Sequence, residues 1–277
     1  DAAETALPGL LDVMWRGPAE TLQQTAFQQP ALVAVGAAAY AAYRAADGEA
    51  PAFVAGHSLG EFTALVANGS LAIEDAVRLV RIRGEAMQAA VPIGVGAMVA
   101  LLKIDRTRAE AAVATARAEG HVVDVANLNA PEQTVISGTT EGVAAAAGHA
   151  KAAGARAIAL KVSAPFHSRL MAPAAAALAP HLAAVNLAPF AVPLIANITA
   201  DVVTDPEIER GLLLEQVTGS VRWVETLQRL AALGVTRYLE FGAGAVLCGL
   251  VERTLPGTPA AAITDAASLT AATGAAT

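Results

Sequence analysis

The sequence predicts an α/β fold: a large subdomain built on a parallel sheet, with a smaller α+β unit inserted into it. Three observations carry that prediction. Short apolar runs alternate with longer amphipathic stretches along most of the chain. One strand-to-helix junction reads Gly56-His57-Ser58-Leu59-Gly60, between the apolar run 51–55 and a helix-like stretch, 61–68. Between residues 93 and 162 the spacing changes to β-α-β-β-α-β, the pattern of the split βαβ or ferredoxin-like unit.

The elements follow in order. Residues 30–46 predict a helix with Pro30 near its first turn, where a missing N–H is tolerated. Residues 53–55 form a short buried strand, and 73–90 a long helix with Glu74 and Asp75 in its first turn. The inserted unit begins with Gly94-Val95-Gly96 and a strand at 97–102, then a helix at 107–119. Strands at 122–127 and 133–137 flank the turn Asn129-Ala130-Pro131, followed by a helix at 141–153 and a strand at 155–162. The expected division is therefore 1–92 with 163–277 for the large subdomain and 93–162 for the small one. Beyond it come a helix at 168–185, kinked or broken at Pro173 and Pro180, and a strand at 192–197. Helices at 207–217 and 224–233, a strand at Tyr238–Phe241 and a helix at 245–254 follow. The Ala/Thr-rich tail from Pro256 carries one short helix near 266–272 or none.

Composition narrows the function. The 277 residues suit one large domain or a domain with an insertion, and 55% hydrophobic against 16% charged residues supports a sizeable core. Much of the hydrophobic share is alanine, which favours helix more than it fills space. With 4% aromatics and a net charge of −7, neither base stacking nor a phosphate backbone is an expected partner. The single cysteine, Cys248, excludes an intrachain disulfide, and its apolar run, 246–251, predicts burial. No C-x-x-C or H-E-x-x-H spacing occurs, so no metal is expected. The longest apolar stretch, 31–43, is too short and alanine-rich to span a bilayer. No signal peptide is visible, so a cytoplasmic protein without a membrane partner is expected.

The chemistry centres on Ser58. A strand, G-x-S-x-G and a helix in succession make a tight turn that calls for glycine on both flanks and presents the serine hydroxyl as a nucleophile. The N–H of Leu59 then faces an oxyanion at a helix N-terminus. A serine in an ordinary turn is the alternative. Serine needs a base, and among five histidines His57 points away from Ser58 while His149 and His181 lie in alanine-rich helices. His121 begins a strand. His167, in Ser163-Ala164-Pro165-Phe166-His167-Ser168, lies past a strand end, where α/β sheets bind ligands. A cap neighbour without chemistry is the alternative reading. Asp201 or Glu240 could orient the histidine, or backbone carbonyls could. Helical spacing puts Ala76, Val80, Arg83 and Met87 on one stripe, beside the helix-breaking Gly84. Arg81 and Glu85 form an ordinary i, i+4 surface pair. A buried Arg83 wants a carboxylate or phosphate, and no internal acid is placed to claim it, which favours a ligand carboxylate; a snorkelling side chain or an internal ion pair is the alternative.

Together these residues resemble the malonyl-CoA:acyl-carrier-protein transacylase family, which includes acyltransferase domains of polyketide synthases. The matching blocks span almost the whole chain: Gln28-Gln29-Pro30-Ala31-Leu32, Gly56 to Glu61, Arg81-Ile82-Arg83-Gly84, Asn127 to Pro131, Ser163 to Ser168, Val221-Arg222-Trp223 and Glu240-Phe241-Gly242. The resemblance implies an α/β-hydrolase-like large subdomain with a ferredoxin-like insertion. It implies Ser58 as the nucleophile that carries the acyl ester and His167 as general base and acid. Backbone carbonyls would orient His167, that of Arg222 among them. Leu59 would supply an oxyanion N–H. Arg83 would grip the free carboxylate of a malonyl group, with Gln29, Met87 and Phe166 completing the substrate site. The Phe166 ring would crowd an α-methyl branch. Family members begin with a strand and a Gly-Gln-Gly-Ser-Gln type loop whose glutamine gives a second oxyanion N–H. Nothing like it precedes Trp15, and the expectation is that the segment is truncated, cleaved or outside this sequence.

The implied activity is ping-pong transfer of malonyl from malonyl-CoA to the phosphopantetheine thiol of acyl carrier protein, with no cofactor, for fatty-acid or polyketide synthesis. Two alternatives stand: a serine hydrolase acting on carrier-protein thioesters, and a non-catalytic domain that docks carrier protein.

Overall fold

The computed structural model describes residues 1–92 and 94–274. Ile93, the expected first residue of the insertion, and residues 275–277 of the tail lie outside the described residues.

The large subdomain carries two small sheets. Val54–Ala55 runs parallel to Leu194–Ile195, with Val54 opposite Leu194, and Val202–Val203 adds an antiparallel edge. Tyr238–Phe241 pairs in parallel with Ala260–Ile263. A cavity of about 710 Å³ is lined by residues of both Val54–Ala55 and Tyr238–Phe241. The strand expected at 192–197 shrinks to two residues, and the strands at Val202–Val203 and Ala260–Ile263 have no counterpart in the sequence reading. Neither do the short helices Ala2–Ala6, Leu10–Arg16 and Ala19–Leu22. The tail helix forms at Ala266–Thr273, held by a capping box between Asp265 and Ser268.

The helices Thr25–Ala45 and Ile73–Ala89 pack together as the frame of the site. The first starts earlier than expected, so Pro30 lies inside it. Proline cannot donate to the carbonyl four residues back. That carbonyl, of Ala26, instead accepts Arg81 Nη1 at 3.2 Å. Gly84 does not break its helix. A Cβ there would lie 2.6 Å from the Thr25 carbonyl oxygen, so glycine lets the two helices touch. The core around them contains Phe62, Leu65, Val80, Met87, Met171, Leu178 and Leu194. The helix expected at 168–185 divides into a 3₁₀ turn, Arg169–Met171, and the helix Ala172–Ala184, with Pro173 in its first turn and Pro180 inside. Cys248 is half-buried rather than buried.

The small subdomain is a four-stranded antiparallel sheet in the order Val123–Ala130, Gln133–Thr139, Gly96–Leu102, Arg156–Ala159. Helices Arg106–Ala118 and Thr140–Ala152 cover it, their alanines 109, 112, 116, 146, 147 and 150 allowing close packing. This is the ferredoxin-like order. The expected turn moves, because the strand continues through Ala130 and only Pro131 and Glu132 connect it to the next. Val123–Ala130 is an edge strand with two register shifts. Its outer edge bonds the large subdomain: Leu128 N–H donates to the Val221 carbonyl and Val221 N–H to the Ala126 carbonyl, both at 2.9 Å. At the other crossing, a Cβ on Gly96 would lie 2.4 Å from the Pro165 ring.

Candidate active site

Val54–Ala55 delivers the chain into the turn that carries Ser58. A Cβ on Gly56 would sit 1.9 Å from the Gly60 carbonyl oxygen, so the strand and the helix Gly60–Ala67 approach closely only because residue 56 is glycine. Gly60 is different: a Cβ there meets nothing within 4 Å, so the turn does not demand the second glycine. Ser58 has φ +52°, a strained value for a residue with a side chain. Asn197 holds that conformation. Its Oδ1 accepts the Ser58 N–H, its Nδ2 donates to the Gly56 carbonyl and its N–H donates to Glu61 Oε1, each at 2.7 Å.

His167 also has positive φ, +55°, and is buried. Its Nε2 lies 2.7 Å from Ser58 Oγ. Its Nδ1 faces two backbone carbonyls, Gln216 at 2.9 Å and Gly219 at 3.1 Å. Two acceptors at Nδ1 assign the ring proton there and leave Nε2 to accept from the serine. Burial, with the Arg83 and His57 charges behind it, lowers the His167 pKa to about 3, so the ring is a neutral base. Arg222 is not an orienting residue. It caps the helix Trp223–Ala232, so its carbonyl accepts the Thr226 N–H, while its guanidinium pairs with Glu225 at 2.7 Å. Asp201 pairs with Arg229 and Glu240 accepts the Cys248 N–H, so neither acid reaches the histidine. His57 turns away from Ser58 to Asn129 Oδ1, at 2.7 Å. His149 lies beside Glu119 on the surface.

Arg83 is only 3% exposed. Its Nη1 donates to Gln29 Oε1 at 2.7 Å, and its Nη2 to Gln216 Oε1 at 2.9 Å and Ser58 Oγ at 3.0 Å. Among the described residues Nε has no partner and no carboxylate pairs with the guanidinium directly. Burial lowers its pKa to about 10, with the nearby Glu61 opposing, so the charge survives. A buried cation held by neutral amides and aimed at a serine hydroxyl has the chemistry to receive an anionic group beside that serine. Gln29 Nε2 in turn lies 3.9 Å from Met87 Sδ. Met87, at 1% exposure, lies in the core beneath Gln29. Phe166 packs against both the main core and the cluster of Met98, Ala100, Ala126 and Val135. No acceptor among the described residues takes the Leu59 N–H.

Three residues without a role in the sequence reading organise this site: Gln216, Asn197 and Glu61. Gln216 orients His167 with its carbonyl, holds Arg83 with Oε1, and donates from Nε2 to the Ser58 carbonyl at 3.0 Å and to Glu61 Oε2. A Cβ on Gly219 would lie 2.5 Å from Ile198 Cδ1 and 3.0 Å from the Glu215 carbonyl oxygen, so a side chain there would displace the Ile198 tip. Beneath them sit two buried carboxyls. Burial raises Glu61, while the Asn197 N–H, the Gln216 amide and Arg83 pull it back. Glu209 is fully buried with no partner for either oxygen among the described residues, and burial plus the Glu61 charge push its pKa far up. Among the described residues no group of three or more His, Cys, Asp or Glu could hold a metal, and no helix is long and apolar enough to cross a membrane.

Comparison with known proteins gives one family. The acyl transferase domain matches residues 4–272. A malonyl CoA-acyl carrier protein transacylase from Bacillus subtilis is 45% identical over 254 residues, covering 91% of this chain and 80% of the relative. The structure of an acyl-carrier-protein S-malonyltransferase from Burkholderia pseudomallei superposes with a TM-score of 0.95 at 44% identity, covering 99% of this chain and 90% of that one. A malonyl-transacylase bound to a type II polyketide-synthase acyl carrier protein also superposes with a TM-score of 0.95, at 39% identity, over 99% of this chain and 89% of that one.

Proposed function

The chain belongs to the acyl transferase domain family, and from that premise we propose that it moves a malonyl group from malonyl-CoA to the phosphopantetheine thiol of an acyl carrier protein, supplying fatty-acid or polyketide synthesis. One observation carries the reading: Ser58 Oγ lies 2.7 Å from a neutral base, His167 Nε2, and 3.0 Å from the buried Arg83 guanidinium. A hydrolase needs the first contact. A transferase selective for an acyl group that ends in a carboxylate needs both.

Ser58 Oγ attacks the thioester carbonyl of malonyl-CoA as its proton passes to His167 Nε2. The Leu59 N–H donates to the oxyanion. The intermediate collapses, the C–S bond breaks, and His167 returns the proton to the departing CoA thiolate. In the second half-reaction His167 takes the proton of the phosphopantetheine thiol, whose sulfur attacks the Ser58 ester. The intermediate collapses, the bond between the acyl carbon and Ser58 Oγ breaks, and His167 returns the proton to Oγ, regenerating the neutral serine hydroxyl. Throughout, Arg83 holds the malonyl carboxylate, displacing its contact with Ser58 Oγ, and Gln29 and Gln216 keep the guanidinium in place. The Phe166 ring crowds an α-methyl branch, so methylmalonyl-CoA loads poorly. Nothing in these steps calls for a cofactor. A single cysteine fits a reducing compartment such as the cytoplasm.

The test is the intact mass of the protein after brief mixing with malonyl-CoA, methylmalonyl-CoA or acetyl-CoA. The expected result is a malonyl adduct that is absent in Ser58→Ala, with little adduct from the other two, and that moves to added carrier protein rather than to water. Release of free malonate in place of transfer would make the protein a hydrolase. No adduct from any donor would leave a carrier-docking domain.

A further inference from the structure

The small subdomain's edge strand, Val123–Ala130, touches each of the three segments that make the site. Asn129 Oδ1 contacts His57, next to the nucleophile, at 2.7 Å. The carbonyl of Val125 accepts Ser220 Oγ, and Ala126 and Leu128 bond Val221, which fixes the loop whose Gly219 carbonyl faces His167 Nδ1. Asp124 reaches the segment that carries the base. Its Oδ2 accepts the Arg169 N–H at 2.9 Å, and the Arg169 guanidinium grips the same carboxylate, with Nη2 2.7 Å from Oδ1 and Nε 3.1 Å from Oδ2. Arg169 is two residues after His167, across Ser168, whose buried hydroxyl donates to the Pro165 carbonyl at 2.7 Å.

A histidine at φ +55° does not hold its place by local preference. Ser168 ties one side of it back to Pro165. On the other side the Asp124 bonds are the ties that cross between subdomains. The carboxylate is equipped to anchor them. Its side chain is 13% exposed. Burial alone would raise its pKa, but the Arg169 bonds and the charges of Arg169 and Arg117 outweigh burial and lower it, so it stays charged. Arg117 binds the same carboxylate but belongs to the small subdomain's own helix Arg106–Ala118.

We infer that Asp124, acting through Arg169, is a positioning residue for the base, clamping the His167 segment to the small subdomain so that Nε2 stays on Ser58 Oγ. This rests on the reading of His167 as the base. A displacement of about 1 Å in a reacting group costs on the order of a hundredfold in rate. The groups that face His167 with charge or a titrating proton are Arg83, His57 and the Ser58 hydroxyl, and the clamp alters none of them.

The experiment compares wild type, Arg169→Ala, Asp124→Asn and, as control, Arg117→Ala. Two readouts are taken: the single-turnover rate of Ser58 malonylation, and the ¹⁵N NMR titration of the His167 imidazole without substrate. Arg169→Ala and Asp124→Asn are expected to slow malonylation about 10- to 100-fold, with half-saturation by malonyl-CoA within about twofold of wild type. In both, the His167 titration midpoint rises towards the ordinary histidine value as water enters. One variant removes a cation and the other an anion, so a rise in both cannot be a direct charge effect. Arg117→Ala is expected to stay within about threefold in rate, with no rise in midpoint. Equal slowing in all three variants, or an unchanged rate and midpoint in Arg169→Ala, would overturn the inference. The Arg169 side chain is 55% exposed, so that variant decides the matter even if Asp124→Asn fails to fold. If the wild type forms no acyl-enzyme, the proposed function fails, while the titration still tests the clamp.

Discussion

Replacing Arg83 by alanine separates recognition of the carboxylate from the acyl chemistry. The guanidinium has three partners in the free protein, Gln29, Gln216 and Ser58 Oγ, all neutral. A malonyl carboxylate would receive charge-assisted bonds worth about 1.5–3 kcal/mol each. Breaking a buried ion pair by removing one partner costs about 3–5 kcal/mol. Deleting Arg83 also strands the side-chain oxygens of Gln29 and Gln216 in the free protein, which offsets part of that difference. Working from the lower bound, about 3 kcal/mol, the rate of Ser58 malonylation falls by roughly two powers of ten. Acetyl-CoA offers no carboxylate, so its acylation rate holds or rises, because Ser58 Oγ loses a competing donor. Lysine does not rescue: one ammonium cannot span Gln29 and Gln216 as the planar fork does. The assay is quenched-flow intact mass with each donor, on variants checked for native circular dichroism. A malonyl-to-acetyl rate ratio equal to that of wild type would refute the carboxylate role outright, however slow both reactions became.

Three further outcomes follow from the same contacts. Gln216→Ala removes the side chain that braces Arg83 and the Ser58 carbonyl but keeps the main-chain carbonyl at His167 Nδ1, so malonylation falls about tenfold while the His167 ¹⁵N titration stays put; a moved titration would contradict this. With His167 lowered to about 3, malonylation measured at pH 5 stays close to its value at pH 7.5, where a histidine titrating near 6.5 would lose about 30-fold. The neutral ring has a linked stability effect: its contribution is full above about 6.5 and drains as pH falls towards the folded value, because the unfolded chain then binds the extra proton. Glu209 has the opposite sign: its folded pKa is raised, so its contribution is lost as pH climbs above the ordinary glutamate range. Glu209→Gln therefore loses less stability than wild type in urea titrations between pH 6 and pH 9, and an identical loss would mean that Glu209 is ionised in the folded protein.

The elements legible in the sequence were those whose signal is local. The Gly56–Gly60 turn announces itself through its glycine and serine spacing, and the ferredoxin-like unit through four strands and two helices of ordinary length. His167 stands apart from the other four histidines by its place after a strand. What escaped was non-local. Gln216 ends an ordinary surface-type helix, Pro206–Gln216, and nothing near it in sequence shows that its amide will meet Ser58, Arg83 and Glu61. Arg222 stands in a matching block, yet cap geometry commits its carbonyl to Thr226, and the carbonyls of Gln216 and Gly219 face His167 instead. Ala260–Ile263 reads as helix by propensity, and only its partner Tyr238–Phe241 makes it a strand. Strands two residues long, such as Val202–Val203, carry no periodicity to detect.

Gly96 and Pro165 stand where the chain leaves the large subdomain and where it returns, and they touch. Any side chain at position 96 must push on a proline ring two residues ahead of His167. In a library of random variants screened for growth or turnover, position 96 would be depleted as deeply as a catalytic position. A blind reading of that tolerance map would draw the active site too large, for the glycine serves the seam between two subdomains rather than the thioester.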